Sequence, residues 1–269
     1  MQFLHKLFRL SCNEKNECPT KKTASIYRNF MSQIPVMKIA FKNKVAVLLF
    51  ANSPEEDMRR KSLHNATELF SDLNKRTRTV IAKSGLSCIH IDEDSQKGND
   101  FGERFTNAIR DVFDQGYEYV ITVGNDSPGL KSSHILKALK PLKQNKVVLG
   151  PSSDGGFYLM GMHKSQFSEG QFKLLPWQTN RLVKAFVEMI EEDEAKVSRL
   201  GHLSDLDSWE DLLNYSERFY KIPKSIITYL NQRLGKALPF IQREISGTSY
   251  RFFTLHHNKG SPLFILTAY

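Results

Sequence analysis

The chain has 269 residues, 40% of them hydrophobic, and a formal net charge of +9. That length and apolar content suit one large globular domain with appendages. No run reaches the roughly 18 uninterrupted apolar residues of a membrane helix, and FLHKLFRL at the N-terminus is broken by Lys6 and Arg9 too early for a secretory signal. A soluble, cytoplasmic protein without a membrane span is therefore expected. The charge is unevenly spread. Residues 1–43 and 215–269 each carry eight Lys/Arg against two acids, whereas residues 44–214 carry 22 against 25. The central body is not a basic surface, so nucleic acid is not an expected partner. Cys12 and Cys18 lie in the polar N-terminal stretch and Cys88 stands alone, which gives no disulfide framework or metal cluster and marks Cys88 as a small buried residue.

Residues 1–42 have no sustained period and read as a loose tail. The domain begins at about residue 43 with KVAVLLF (44–50), a buried strand, followed by a polar turn and a helix face marked by Leu63, Ala66, Leu69, Phe70 and Leu73. LSCIHI (86–91) is a second strand. After the loop DEDSQKGNDFG, Phe105, Ala108, Ile109, Val112 and Phe113 follow helical spacing, with Gly116 as the C-terminal cap. A strand at 118–123, a helix at Ser133–Leu142, the strand KVVLG (146–150) and GFYLMGM (156–162) come next. Leu182 to Ile190 then form an amphipathic helix, a short strand lies near Val197, and Asp207 or Ser208 caps a helix carrying Leu212 and Leu213. The alternation predicts an α/β protein with βαβ units and a mostly parallel sheet. Residues 43–214 form its body. Residues 215–269 read as a C-terminal extension, with a helix at PKSIITYL and a β-hairpin across NKGS.

Polar residues gather in turns after apolar runs: Asn125 and Asp126 in GNDSPGL, Asp154 with Gly155 and Gly156 in GPSSDGGFYLMG, and Asp205 and Asp207 in HLSDLDSWEDL. Parallel strands would open these turns onto one sheet edge, where carboxylates can share a divalent cation with substrate phosphates. Each Asp can equally cap a helix or close a turn. Gly155 and Gly156 allow either a tight turn or close approach to a ligand. Arg59, Arg60 and Lys61, in the loop after the first strand, either neutralise a pyrophosphate or form the exposed face of the next helix. That loop has no glycine, so it cannot build a glycine-rich phosphate cradle. Arg104, in the first turn of its helix, opposes the dipole and either meets an anion or pairs with Glu103 or Asp100.

The stretches GNDFGERFTNAI, VITVGNDSPGL, VLGPSSDGGFYLMGM, LPWQTN and DLDSWEDL, within residues 44–214, resemble an uncharacterised glycosyltransferase-like family. That family has the GT-A nucleotide-diphospho-sugar transferase fold, a three-layer, Rossmann-like α/β/α arrangement, and is related to 2-phospholactate guanylyltransferase and the molybdenum-cofactor guanylyltransferases. The resemblance implies that Asp126 and Asp207 are metal ligands for Mg²⁺ or Mn²⁺. It places Asp154, Gly155 and Gly156 on the D-G-G signature bordering the acceptor or sugar. The first loop departs: where the family reads A-P-V-P-G-R-V-K-T-R-L, this chain has S-P-E-E-D-M-R-R-K-S-L, with Asp57 for the glycine, Arg60 for the lysine and Ser62 for the arginine.

The expected function is a metal-dependent transferase that takes a nucleotide or nucleotide-sugar donor and an unidentified small-molecule acceptor. Glycosyl transfer is favoured slightly over nucleotidyl transfer, because the missing glycine loop matters most for a triphosphate. Arg59, Arg60, Arg104, Asn125, Gly155 and Gly156 would bind substrate, and Asp154 would orient the acceptor hydroxyl or act as its base. The alternative is a catalytically silent relative that binds nucleotide or partners, which the acidic Glu55-Glu56-Asp57 stretch favours.

Overall fold

The structure is a computed structural model that describes residues 40–61, 63–192, 194–218 and 222–234. The chain divides into two compact units, Met1–Lys44 and Val45–Tyr269. Of the first unit, a helical turn at 40–42 is described, where Lys44 N donates to Phe41 O. Most of the expected N-terminal tail, and the expected C-terminal β-hairpin, lie outside the described residues.

The second unit is built on a six-stranded sheet in the order β2-β1-β3-β5-β4-β6. Its strands are β1 (Val45–Phe50), β2 (Ser87–Ile91), β3 (Tyr119–Val123), β4 (Val147–Pro151), β5 (Phe157–His163) and β6 (Val197–Arg199). β1 pairs in parallel with β2 and β3, and β4 with β6. β5 is antiparallel to both β3 and β4. The reason is chain length: residues 152–156 are too few for the crossover that a parallel strand needs, so β4 and β5 form a hairpin.

Helices cover both faces, giving three layers. They are α1 (Pro54–Arg60), α2 (Thr67–Ala82), α3 (Phe101–Asp114), α4 (Ser132–Leu142), α5 (Glu169–Lys173), α6 (Leu182–Glu192), α7 (Trp209–Arg218) and α8 (Lys224–Leu234). Phe105, Ile109 and Val112 of α3, Phe172 of α5 and Phe186 and Ile190 of α6 pack on Ala46, Leu48, Val120, Leu149, Met160 and Met162 of the sheet. The alternation of Ala46 and Leu48 with the intervening strand residues is the two-residue period of a strand presenting one face to this core. A second cluster joins Leu69, Phe70 and Leu73 of α2 to Leu212 and Tyr215 of α7 and to Ile226, Tyr229 and Leu230 of α8. The helix of the expected extension thus lies against α2, and Tyr229 also donates its hydroxyl to His64 O, just before α2, at 2.7 Å. Among the described residues no helix is long and apolar enough to cross a membrane.

Cys88 corrects the expectation of a buried thiol. It is exposed, because β2 is an edge strand and Ser87 and Cys88 face solvent at its start.

Candidate active site

The loops after β1, β3, β4 and β6 all open at one edge of the sheet, around a cleft of ≈ 490 Å³ lined by Asp57, Lys61, Asn125, Asp126, Asp154, Asp205 and Asp207 among others. This volume suits a small-molecule ligand. A backbone bond, Leu206 N to Asp126 O at 2.9 Å, ties the loop after β3 to the loop after β6 and brings Asp126 and Asp207 to the same point.

Lys61 occupies that point. It follows α1, whose capping is local: Ser53 Oγ accepts from Glu56 N, and Lys61 N closes the helix on Asp57 O. The Lys61 side chain, 13% exposed, turns inward across the Phe70 ring. Its Nζ lies 2.8 Å from Asp207 Oδ1, 3.4 Å from Asp126 Oδ2 and 3.3 Å from Leu206 O. Burial lowers the ammonium's pKa, but Asp126 and Asp207 outweigh burial and hold it above the usual lysine range.

Below Lys61 lies a network of amides around Asp57, which is 2% exposed. Asp57 accepts from Asn125 Nδ2 at 2.7 Å and from Asn52 Nδ2 at 3.0 Å, while Asn125 Nδ2 also meets Asn74 Oδ1 at 2.6 Å. Desolvation raises the Asp57 carboxyl above the ordinary range, against the pull of Lys61 and the two amides. Asp57 is thus buried and hydrogen-bonded at the floor of the cleft. The amide nitrogen of Asn125, an expected substrate contact, is committed to this network.

Other expected site residues take different places. Arg59, 74% exposed, and Arg60 both bind Glu56, which neutralises that acid. Arg60 lines the cleft and Arg59 does not, since successive helical residues face different directions. Arg104 also lies outside the cleft lining; its Nη1 donates to Asn99 O at 3.3 Å, and its Nε is buried without a hydrogen-bond partner. Asp154 and Gly156 line the cleft. Asp154 Oδ1 accepts from Gly156 N at 3.0 Å and from Ser152 Oγ, which fixes the carboxylate in its turn. Gly155 has φ +93°, and a Cβ there would stand 2.7 Å from the Asn180 backbone, so its glycine serves the turn and the close passage of residue 180.

The opposite wall is aromatic. Phe101 stacks on Phe105 with centroids 5.7 Å apart, and Trp177 meets Phe105 at 5.1 Å. The indole donates to Phe172 O at 2.7 Å, and Gly102 leaves room for it, since a Cβ would come within 2.5 Å of the ring. This wall offers flat surfaces for a base or apolar group. LPWQTN and the first turn of α3 carried no sequence signal for that role beyond their motif.

Asp205 sits behind the other acids and accepts from Ser127 Oγ. Desolvation, with Asp126 and Asp154 nearby, pushes its carboxyl up to about 8 from the ordinary 3.8. A carboxyl whose pKa is raised on folding binds its proton more tightly in the native state, so stability is greatest below the unfolded pKa and falls as pH rises toward the folded one. The melting temperature of the metal-free protein is therefore expected to fall between pH 5 and pH 8. Asp205→Asn should flatten that slope and melt higher than wild type at pH 8; an unchanged slope would exclude Asp205 as its source.

A divalent cation fits this donor set. Asp126 and Asp207 offer hard oxygen ligands, and the Lys61 ammonium between them marks a place where positive charge is held. Among the described residues no three His, Cys, Asp or Glu side chains form a metal cage. Mg²⁺ commonly uses one or two carboxylates and completes its shell with water and phosphate oxygens.

Residues 58–179 match the model of a family described as "Uncharacterized protein conserved in bacteria (DUF2064)". No curated protein matches the chain. A solved structure from Desulfovibrio desulfuricans G20, described provisionally as a nucleotide-diphospho-sugar transferase, is 25% identical; the match covers 71% of this chain and 96% of that one, with a TM-score of 0.63. A cytidylyltransferase from Leptospira borgpetersenii serovar Hardjo-bovis (strain JB197) is 15% identical over 77% of this chain and 99% of its own, with a TM-score of 0.40. A manganese complex of Rv0371C from Mycobacterium tuberculosis H37Rv is 12% identical over 65% and 99%, with a TM-score of 0.36. The last two superpose too loosely to bear on the site. The mixed α/β architecture, with its six-stranded, mostly parallel sheet, matches the nucleotide-diphospho-sugar transferase-like fold.

Proposed function

We propose that the chain is a transferase that uses an activated nucleotide donor, its diphosphate lying beside Asp126 and Asp207 with Mg²⁺ or Mn²⁺. The observation that carries this reading is the convergence of Lys61, Asp126 and Asp207 at the carboxyl edge of the sheet, opposite an aromatic wall. The likeness to the Desulfovibrio protein supports it.

A divalent cation bound there supplies charge neutralisation for the leaving diphosphate. The chain's own residues do the rest. Asp126 and Asp207 orient the phosphate end, and the aromatic wall shields the reacting centre from water. Asp154 would act as the base: its Oδ1 accepts from Gly156 N and Ser152 Oγ, which leaves Oδ2 to take the proton of an acceptor hydroxyl. As that oxygen bonds to the transferred group, the bond to the donor phosphate breaks and the electron pair stays on the phosphate oxygen. Glycosyl transfer is slightly preferred to nucleotidyl transfer, because α1 replaces a glycine-rich triphosphate cradle with a capped helix.

A thermal-shift screen of nucleotides and nucleotide sugars, with and without Mn²⁺, tests this function. A stabilisation that needs both nucleotide and Mn²⁺ is expected, of about 2.7 kcal/mol at a ligand concentration 100 times Kd. No shift from any nucleotide would overturn the transferase reading and leave the silent scaffold.

A further inference from the structure

We propose that Lys61 is an internal cation that competes with the divalent metal for Asp126 and Asp207, so that metal enters as Lys61 withdraws. This inference deepens the proposed nucleotide-donor function and rests on it for the identity of the metal's second partner.

The geometry makes the two cations exclusive. Lys61 Nζ is 2.8 Å from Asp207 Oδ1 and 3.4 Å from Asp126 Oδ2. A Mg²⁺ ion bound to the same oxygens would stand about 2.1 Å from each. It would then share the space of the ammonium and repel it. Yet one ammonium does not neutralise two carboxylates, so the point remains attractive to a divalent ion. Without metal, Lys61 partly offsets the charge of the two carboxylates.

Lys61 has the means to leave. Its ammonium ends a flexible four-carbon stem, unlike the rigid fork of an arginine. Its contacts are the two carboxylates that a metal would take over, one carbonyl, Leu206 O, and the face of the Phe70 ring. A donor diphosphate arriving with the metal offers the freed ammonium new acceptors. Arg60, the other cation lining the cleft, already gives its Nε to Glu56 at 2.6 Å. Lys61 is therefore the cation placed to exchange carboxylates for phosphate. Metal and donor would bind more tightly together than apart, because each removes the obstacle to the other.

The test is Mn²⁺ binding to the full chain, followed by the electron paramagnetic resonance signal of free Mn²⁺, with no nucleotide present. Lys61→Met is expected to bind Mn²⁺ at least tenfold more tightly than wild type, and Lys61→Met/Asp126→Asn to lose that gain. If the methionine variant does not fold, Lys61→Gln, which keeps a donor for Leu206 O, is expected to show the same gain. Equal Mn²⁺ affinity in wild type and a folded Lys61 variant would overturn the competition. A separate arm adds inorganic pyrophosphate to wild type, with the solution Mn²⁺–pyrophosphate complex subtracted. Tightened Mn²⁺ binding is expected there. Its absence would overturn the donor reading, while a gain in Lys61→Met would still establish Lys61 as the competitor.

Discussion

Phe172→Ala is expected to destabilise the protein by about 3–5 kcal/mol, the range for truncating a buried phenylalanine. Phe172 is 0% exposed and lies edge-on to Phe186, with centroids 5.8 Å apart, and to Phe167 at 5.0 Å. α5 is short, so little backbone structure holds it in place once that ring is gone. The consequence reaches the cleft, because Trp177 Nε1 hangs on Phe172 O and Trp177 forms part of the aromatic wall. Urea unfolding followed by tryptophan fluorescence measures the change. A loss below about 1 kcal/mol would mean that the site collapses around the missing ring, or that Phe172 is not the anchor its burial indicates.

Asp126→Asn is expected to have the largest functional effect, weakening Mn²⁺-dependent nucleotide binding by about 100-fold or more, since losing even an outer partner of a metal ligand costs 10- to 100-fold. The substitution keeps the shape of the turn, including the Leu206 N to Asp126 O backbone bond, and removes one negative charge from the pair around Lys61. Calorimetric titration of nucleotide in the presence of Mn²⁺ reads the effect. Undiminished affinity in the variant would remove Asp126 from the site.

The fold was largely legible in the sequence. Its strand ends are marked by abrupt passage from β-branched and apolar residues to polar turns, as at Val123–Gly124, and its helices by clear apolar stripes, as in α3. The direction of β5 was not legible from its apolar residues, since GFYLMGM reads alike in either orientation; the shortness of the preceding turn decides it. Cys88 escaped for a related reason. Edge position depends on strand order, and strand order is a long-range property.

The acids of the site were legible as residues at strand ends. Which cation meets them was not. Arg59, Arg60 and Lys61 are adjacent in the chain, but the arginines lie in α1 and turn to Glu56, whereas Lys61 follows the helix in extended backbone and turns to Asp126 and Asp207. Asp57 likewise looked like added negative charge near phosphate. Its burial against Asn52 and Asn125 depends on partners as far apart as the loops after β1 and β3.

Asp126 and Asp207 are proposed to share a divalent ion with a donor's phosphates. The most direct test is a crystal structure of the wild-type chain grown with Mn²⁺ and the nucleotide that gives the largest thermal shift. An anomalous Mn²⁺ peak is expected within coordinating distance of Asp126, Asp207 and the diphosphate oxygens, with Lys61 turned onto a phosphate. Mn²⁺ or nucleotide bound away from these residues, with Lys61 still bridging Asp126 and Asp207, would contradict the proposed sharing.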